Sequence, residues 1–263
     1  MPSMPSARRH LPLSASLLIA LAIAIAACST VPDTGRKQFN PIPAGTESRM
    51  GLSQFEKIKR ESKISQNASY NAQLQRVAAR LVPVVPMQNA QWEFVVFEDK
   101  SPNAFALPGG KVGVNTGMFQ ITQNDAGLAA VVGHEIGHVV ARHGGERITQ
   151  GIGAALITLG VNQAFKDSDA RDLATVGTGA ATGLTVLKFS RSQELEADRL
   201  GALYMARAGY DPRESVKLWE RFAAYQQKKG GAKLPQFLST HPVDSTRIEQ
   251  LKAFMPQAMA EYQ

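Results

Sequence analysis

The segment GLAAVVGHEIGHVVARHGG, residues 127–145, constrains the fold more than any other part of this chain. It is apolar almost all round, so a helix here has to be enclosed by other elements rather than lie on a surface. Yet His134, Glu135 and His138 sit in its middle. Burying ionisable groups without partners is costly, and a metal ion offers all three a partner. Residues four apart share a helix face, so both imidazoles reach one ion. Glu135 leaves the axis about 100° from His134 and stands beside the ion. Zinc lowers the pKa of a water it holds towards ~7, and a carboxylate base there can take the proton. Gly137 costs about 1 kcal/mol relative to Ala in mid-helix, which marks close approach by another backbone or a substrate. Asn124 or Asp125 caps the helix, and Gly144-Gly145 is its expected stop.

Two histidines leave the site incomplete, because a catalytic zinc takes three protein ligands and keeps one open position. His143 lies about 140° round a continuous helix from His138 and reads as a surface or supporting residue. A carboxylate from another helix is the expected third ligand. The string Arg191-Ser192-Gln193-Glu194-Leu195-Glu196-Ala197-Asp198 offers it. Glu194 and Asp198 share a face at i, i+4, one to bind the ion and one to orient a ligating imidazole, while Glu196 points nearly the opposite way.

The remaining pattern is mostly helical with a small sheet. Helices are expected over about 47–65, 68–82, 190–208, after Asp211-Pro212, and after His241-Pro242. Strands are expected at 92–97, 103–107 and 111–114, the last two around the turn Pro108-Gly109-Gly110. The Gly/Ala-rich stretch 151–185 suggests a helical hairpin. At 263 residues, 44% hydrophobic and 19% charged, the chain is neither disordered nor fibrous. A single cysteine excludes an internal disulfide framework and a Cys-rich zinc ribbon. With no basic block and no phosphate loop, a nucleic-acid partner is not expected.

Residues 1–27 read as an address rather than structure. Arg8-Arg9 precede an uncharged apolar run, Leu11 to Ala27, short of the ~20 residues of a membrane span. The run ends Ala26-Ala27-Cys28-Ser29 and resembles a bacterial lipoprotein signal with Cys28 as the acylated residue. Ser29, rather than Asp, is similar to the pattern of outer-membrane lipoproteins. Residues 28–46, with three prolines and two glycines, are expected to be a lipidated tether, and 47–263 the catalytic domain.

HEIGH followed some 50 residues later by the E-x-x-A-D of Glu194–Asp198 resembles the HtpX-like and Oma-type zinc metallopeptidases, from about residue 95 to 250. The resemblance implies an α+β, predominantly helical zincin-like domain with a small sheet and an edge strand beside the active-site helix. It implies one zinc ion held by His134, His138 and Glu194, with Glu135 as base and Asp198 supporting a ligand. Asn103-Ala104-Phe105-Ala106 resembles the family's substrate-pairing edge strand. Ser239-Thr240-His241-Pro242 and Arg247 resemble the residues that stabilise the oxyanion; His241 alternatively occupies the open zinc position in a resting state. Membrane members of the family carry spanning helices between the motifs, and this chain has no apolar stretch there long enough.

The expectation is a zinc endopeptidase on the inner leaflet of a bacterial outer membrane, facing the periplasm. Its substrates would be unfolded or misassembled envelope proteins, with a link to outer-membrane assembly machinery. The rival is a lipoprotein chaperone or assembly factor whose zinc is structural or capped.

Overall fold

The computed structural model describes residues 28–87, 89–151, 189–228 and 235–262. The leader 1–27 and the proposed hairpin beyond Gly151 lie outside the described residues. The chain opens with a two-stranded antiparallel ribbon, β1 (Cys28–Thr30) and β2 (Lys37–Phe39). Helices α1 (Ala44–Glu61) and α2 (Ala68–Leu81) follow, and a 3-10 turn carries Pro83. Next come β3 (Glu93–Phe97), β4 (Ala104–Leu107) and β5 (Lys111–Asn115), a short helix α3 (Met118–Thr122) and the central α4 (Asp125–Val140). Residues 143–151 are again helical. The chain closes with α5 (Arg191–Arg207), α6 (Arg213–Lys228), α7 (Gln236–Thr240) and α8 (Ser245–Ala260).

The sheet has order β3-β5-β4, with β3 and β5 parallel and β4 antiparallel at the edge. Gly109 and Gly110 turn the β4–β5 connection at φ +86° and +88°, where a side chain is strained. Gly113 of β5 leaves room for Phe105, whose ring would lie 2.3 Å from an added Cβ. Phe105 thereby packs with Phe55 and Phe97.

Helix α4 is enclosed, as its composition requires. It packs against α2, α3, α5, α6 and β4, and every residue from Gly127 to Val140 is buried. Asn124 caps it through Gly127 N at 2.8 Å. Its closest neighbour is α5, and small residues set that approach. A Cβ on Gly137 would lie 2.9 Å from the Ala197 carbonyl, and one on Gly201 2.8 Å from His134 N and 3.0 Å from Gly133 C. These are backbone atoms that cannot swing aside. Gly201→Ala should therefore lower the denaturation midpoint, by about 1–3 kcal/mol of stability, as overpacking does. An unchanged midpoint would mean that the two helices separate freely.

Two expectations need correction. Residues 28–46 are not a loose tether: Val31 is in the hydrophobic core, Asp33 pairs with Arg207 of α5 at 3.0 Å, and α1 starts at Ala44. Proline and glycine there shape a tight ribbon, with Gly35 at φ +69°. Second, α4 does not run to Gly144-Gly145. It stops at Val140, and Arg142 takes a left-handed φ of +55°. Glu47 pays for that strain by binding Arg142 Nε at 3.0 Å, while Arg142 also reaches the Ile42 carbonyl. Gly145 then passes so close to Glu47 that a Cβ would meet its carboxylate at 1.8 Å.

Candidate active site

The i, i+4 spacing on α4 puts the two imidazoles side by side, with His134 Nε2 3.1 Å from His138 Nε2. Helix α5 supplies the carboxylates. Its capping box, Ser190 with Gln193, starts the helix one turn ahead of Glu194. Glu194 Oε1 lies 3.4 Å from His138 Nε2, and Oε2 3.6 Å from His134 Nε2. His241, at the end of α7, completes the group, with Nδ1 2.8 Å from Glu194 Oε1 and 3.2 Å from His134 Nε2. One donor atom from each of His134, His138, Glu194 and His241 lies within 4.8 Å of the others, and all four residues are buried.

The donor set fits a metal ion. His134 Nδ1 is taken by Asp198 Oδ1 at 2.9 Å, so its Nε2 is free to turn inward as a lone pair. Three ring nitrogens and a carboxylate then face one another. A cation satisfies all four as acceptors at once. Glu194 Oε2, ion-paired with Arg247 Nη1 at 2.5 Å, makes no hydrogen bond of its own among the described residues. His138 is held well below the usual histidine pKa by burial, which keeps its nitrogen unprotonated for a metal. Burial would raise the Glu194 pKa, but His241 and Arg247 outweigh it and hold the carboxyl well below the ordinary range.

Glu135 stands beside the cluster. Its Oε2 accepts from the amide of Ala106 on edge strand β4 at 3.2 Å. Its Oε1 has no hydrogen bond among the described residues, with His241 Nε2 at 3.4 Å. Burial raises its pKa, as a group that accepts a proton near neutrality requires. Ala104, Phe105 and Ala106 thus lie on an edge strand joined to α4 at this carboxylate. Asn103 precedes β4, its carbonyl accepting from Asn115 N at 2.9 Å.

Arg247, expected at the oxyanion, has its donors engaged by other groups of the site. Asp244 caps α8 through Arg247 N and points the side chain inward. The guanidinium is buried against the Trp219 ring at 3.8 Å. Its Nε and Nη2 bind Asp198 at 2.6 and 2.8 Å, and Nη1 donates to the Pro242 carbonyl at 3.1 Å. Its donors are spent on the supports of the site, so it is a clamp behind Glu194 and Asp198. Trp219 Nε1 also donates to Asp198 Oδ1 at 3.0 Å. The Asp198 pKa, which burial would raise, is lowered chiefly by Arg247.

Of the two readings of His143, surface or supporting, the structure shows the second, as part of an arm whose other members the sequence did not signal. His143 is fully buried, with Nδ1 2.9 Å from His138 Nδ1 and Nε2 2.9 Å from Glu196 Oε2. The left-handed turn at Arg142 swings it back, where a continuous helix would have carried it away. Burial would raise the Glu196 pKa, but His143, Thr34 and Arg36 bring it to about 2. Phe189 stacks on His138 with ring centres 3.8 Å apart. No local pattern signals Thr34, Arg36 or Phe189.

The sequence model of peptidase family M48 matches residues 68–255. The chain is 33% identical to the mitochondrial metalloendopeptidase OMA1 of Schizosaccharomyces pombe over 236 residues, 88% of this chain and 67% of that protein. Against the same-named protein of Arabidopsis thaliana it is 41% identical over 165 residues, 63% of this chain and 32% of the relative. Against the beta-barrel assembly-enhancing protease of Escherichia coli it is 27% identical over 224 residues, 83% of this chain and 46% of the relative. The chain thus spans less than half the length of the last two. The family match runs from the start of α2 into α8, across every helix that contributes to the cluster, and so the chain belongs to peptidase family M48, the zinc metallopeptidases.

Proposed function

We propose that this protein is a lipid-anchored endopeptidase that cuts unfolded or misassembled proteins of the bacterial envelope. One observation carries the peptidase reading: a buried carboxylate with a free oxygen, Glu135 Oε1, adjoins four converging metal donors. His134, His138 and Glu194 would hold the ion. Zinc, when bound, supplies a Lewis acid that polarises a peptide carbonyl and acidifies water. Glu135 takes the proton from the attacking water and returns it to the leaving amine. Its second oxygen, tied to Ala106 N, fixes the base relative to the strand on which substrate lies. Asp198 fixes the tautomer of His134, and Arg247 locks Asp198 and Glu194 in place.

Edge strand β4 supports the choice of substrate. An extended peptide can pair with Asn103–Ala106 through main-chain bonds, which favours unfolded segments over a side-chain motif. The leader and Cys28 support an envelope location through a lipid on Cys28. No helix among the described residues is long and apolar enough to cross a membrane. The likeness to the beta-barrel assembly-enhancing protease of Escherichia coli supports a link to outer-membrane assembly.

A specific observation favours a resting state capped by His241. With His241 the donor set numbers four, the complement of a structural zinc and one more than a catalytic site uses. His241 therefore has to leave before substrate enters. Casein should be cut by the wild type and cut faster by His241→Ala. A fall of about 10²-fold or more would make His241 a donor to the oxyanion instead. No cleavage by either protein, with zinc bound, would favour the chaperone reading.

A further inference from the structure

We propose that the amino-terminal ribbon is part of the metal site, acting as a positioning device through Arg36, Thr34, Glu196 and His143 upon His138. The inference rests on the metal-site reading above. A histidine that ligates through Nε2 carries its proton on Nδ1 and needs an acceptor there. For His138 that acceptor is His143 Nδ1 at 2.9 Å. His143, having accepted at Nδ1, carries its proton on Nε2 and donates it to Glu196 Oε2 at 2.9 Å. The ribbon holds that carboxylate still. Arg36 Nε binds Glu196 Oε2 at 2.5 Å, and Thr34 Oγ1 donates to Glu196 Oε1 at 2.5 Å.

Arg36 is itself aimed. Its Nη1 and Nη2 bind Glu146 at 2.7 and 3.3 Å, and Glu146 in turn accepts from Gln193 at 2.8 Å. The two metal-binding imidazoles are thus oriented by different routes. His134 relies on Asp198 within the helical core, and His138 on a chain of side chains that ends in the ribbon beginning at Cys28. The ribbon therefore bears on metal affinity although none of its residues belongs to the cluster.

The test measures zinc affinity of the full chain by competition with a chromogenic chelator, with circular dichroism reporting the fold. His143→Phe fills the space but offers no acceptor, and should weaken zinc binding about 10–100-fold. His143→Gln, which restores an acceptor, should recover most of that loss. Arg36→Leu should weaken binding in the wild-type background and add nothing in the His143→Phe background, because it acts through His143. Equal affinities for His143→Phe and wild type, or additive losses for Arg36→Leu and His143→Phe, would overturn the proposal. Should Arg36→Leu fail to fold, Thr34→Val removes one hydroxyl contact and is held to the same non-additivity. Absence of zinc binding by the wild type would instead sink the metal-site reading itself.

Discussion

Glu135→Gln is expected to bind zinc as the wild type does and to lose about 10²–10⁴-fold in the rate of casein cleavage. That is the range for removing a positioned general base. The substitution keeps the shape and leaves an oxygen for the amide of Ala106, 3.2 Å away, so the edge strand keeps its anchor. Glu135 is not among the four residues able to hold the ion, so zinc content should be unaffected. The two readouts separate the roles. Equal zinc with lost cleavage assigns Glu135 to proton transfer. Lost zinc would move Glu135 into the ligand set, and retained cleavage would remove it from the chemistry.

Arg247→Met is expected to be the most destabilising single change near the site. Arg247 is 1% exposed and ion-pairs with both Asp198 and Glu194. Removing it leaves two buried carboxylates without their main cation, a loss of about 3–5 kcal/mol for a broken buried pair. For a domain of this size that lowers the melting temperature by on the order of 10 °C. Zinc should restore part of the loss, because the ion replaces the missing charge at Glu194. Arg247→Lys keeps the charge but not the fork that spans Asp198, and should fall between. Thermal unfolding with and without zinc reads all three. An Arg247→Met protein that melts like the wild type yet has lost its cleavage would mean that Arg247 serves the transition state and not the scaffold.

Much of the architecture was legible because it rests on local rules. The apolar run of α4 required enclosure, and five neighbouring elements supply it. The spacing of His134 and His138, and of Glu194 and Asp198, set which side chains share a face, since helix geometry is the same wherever the helix lies. Asn124 caps the helix that follows it, as its place before the apolar run predicts. The strand pattern around Pro108-Gly109-Gly110 was equally local. Where local rules misled, a distant contact overrode them. The Pro- and Gly-containing ribbon looked like a linker until Val31 joined the core and Asp33 and Arg36 found partners more than 100 residues away. The stop of α4 looked like a glycine signal, but Glu47 of α1 holds Arg142 in the left-handed conformation earlier.

The sequence by itself therefore determined the class of chemistry: two imidazoles and a carboxylate on one buried helix, with a second acidic helix to complete them. Only the tertiary structure decided which arm supports each imidazole, because that depends on side chains brought together across the chain. It tied the Arg247 donors to Asp198, Glu194 and Pro242, which makes that residue a clamp on both carboxylates. It also turned His143 inward through a single left-handed residue, and joined the ribbon to His138. Periodicity fixes the direction of a side chain relative to its own helix axis; which charge waits there is set by long-range packing.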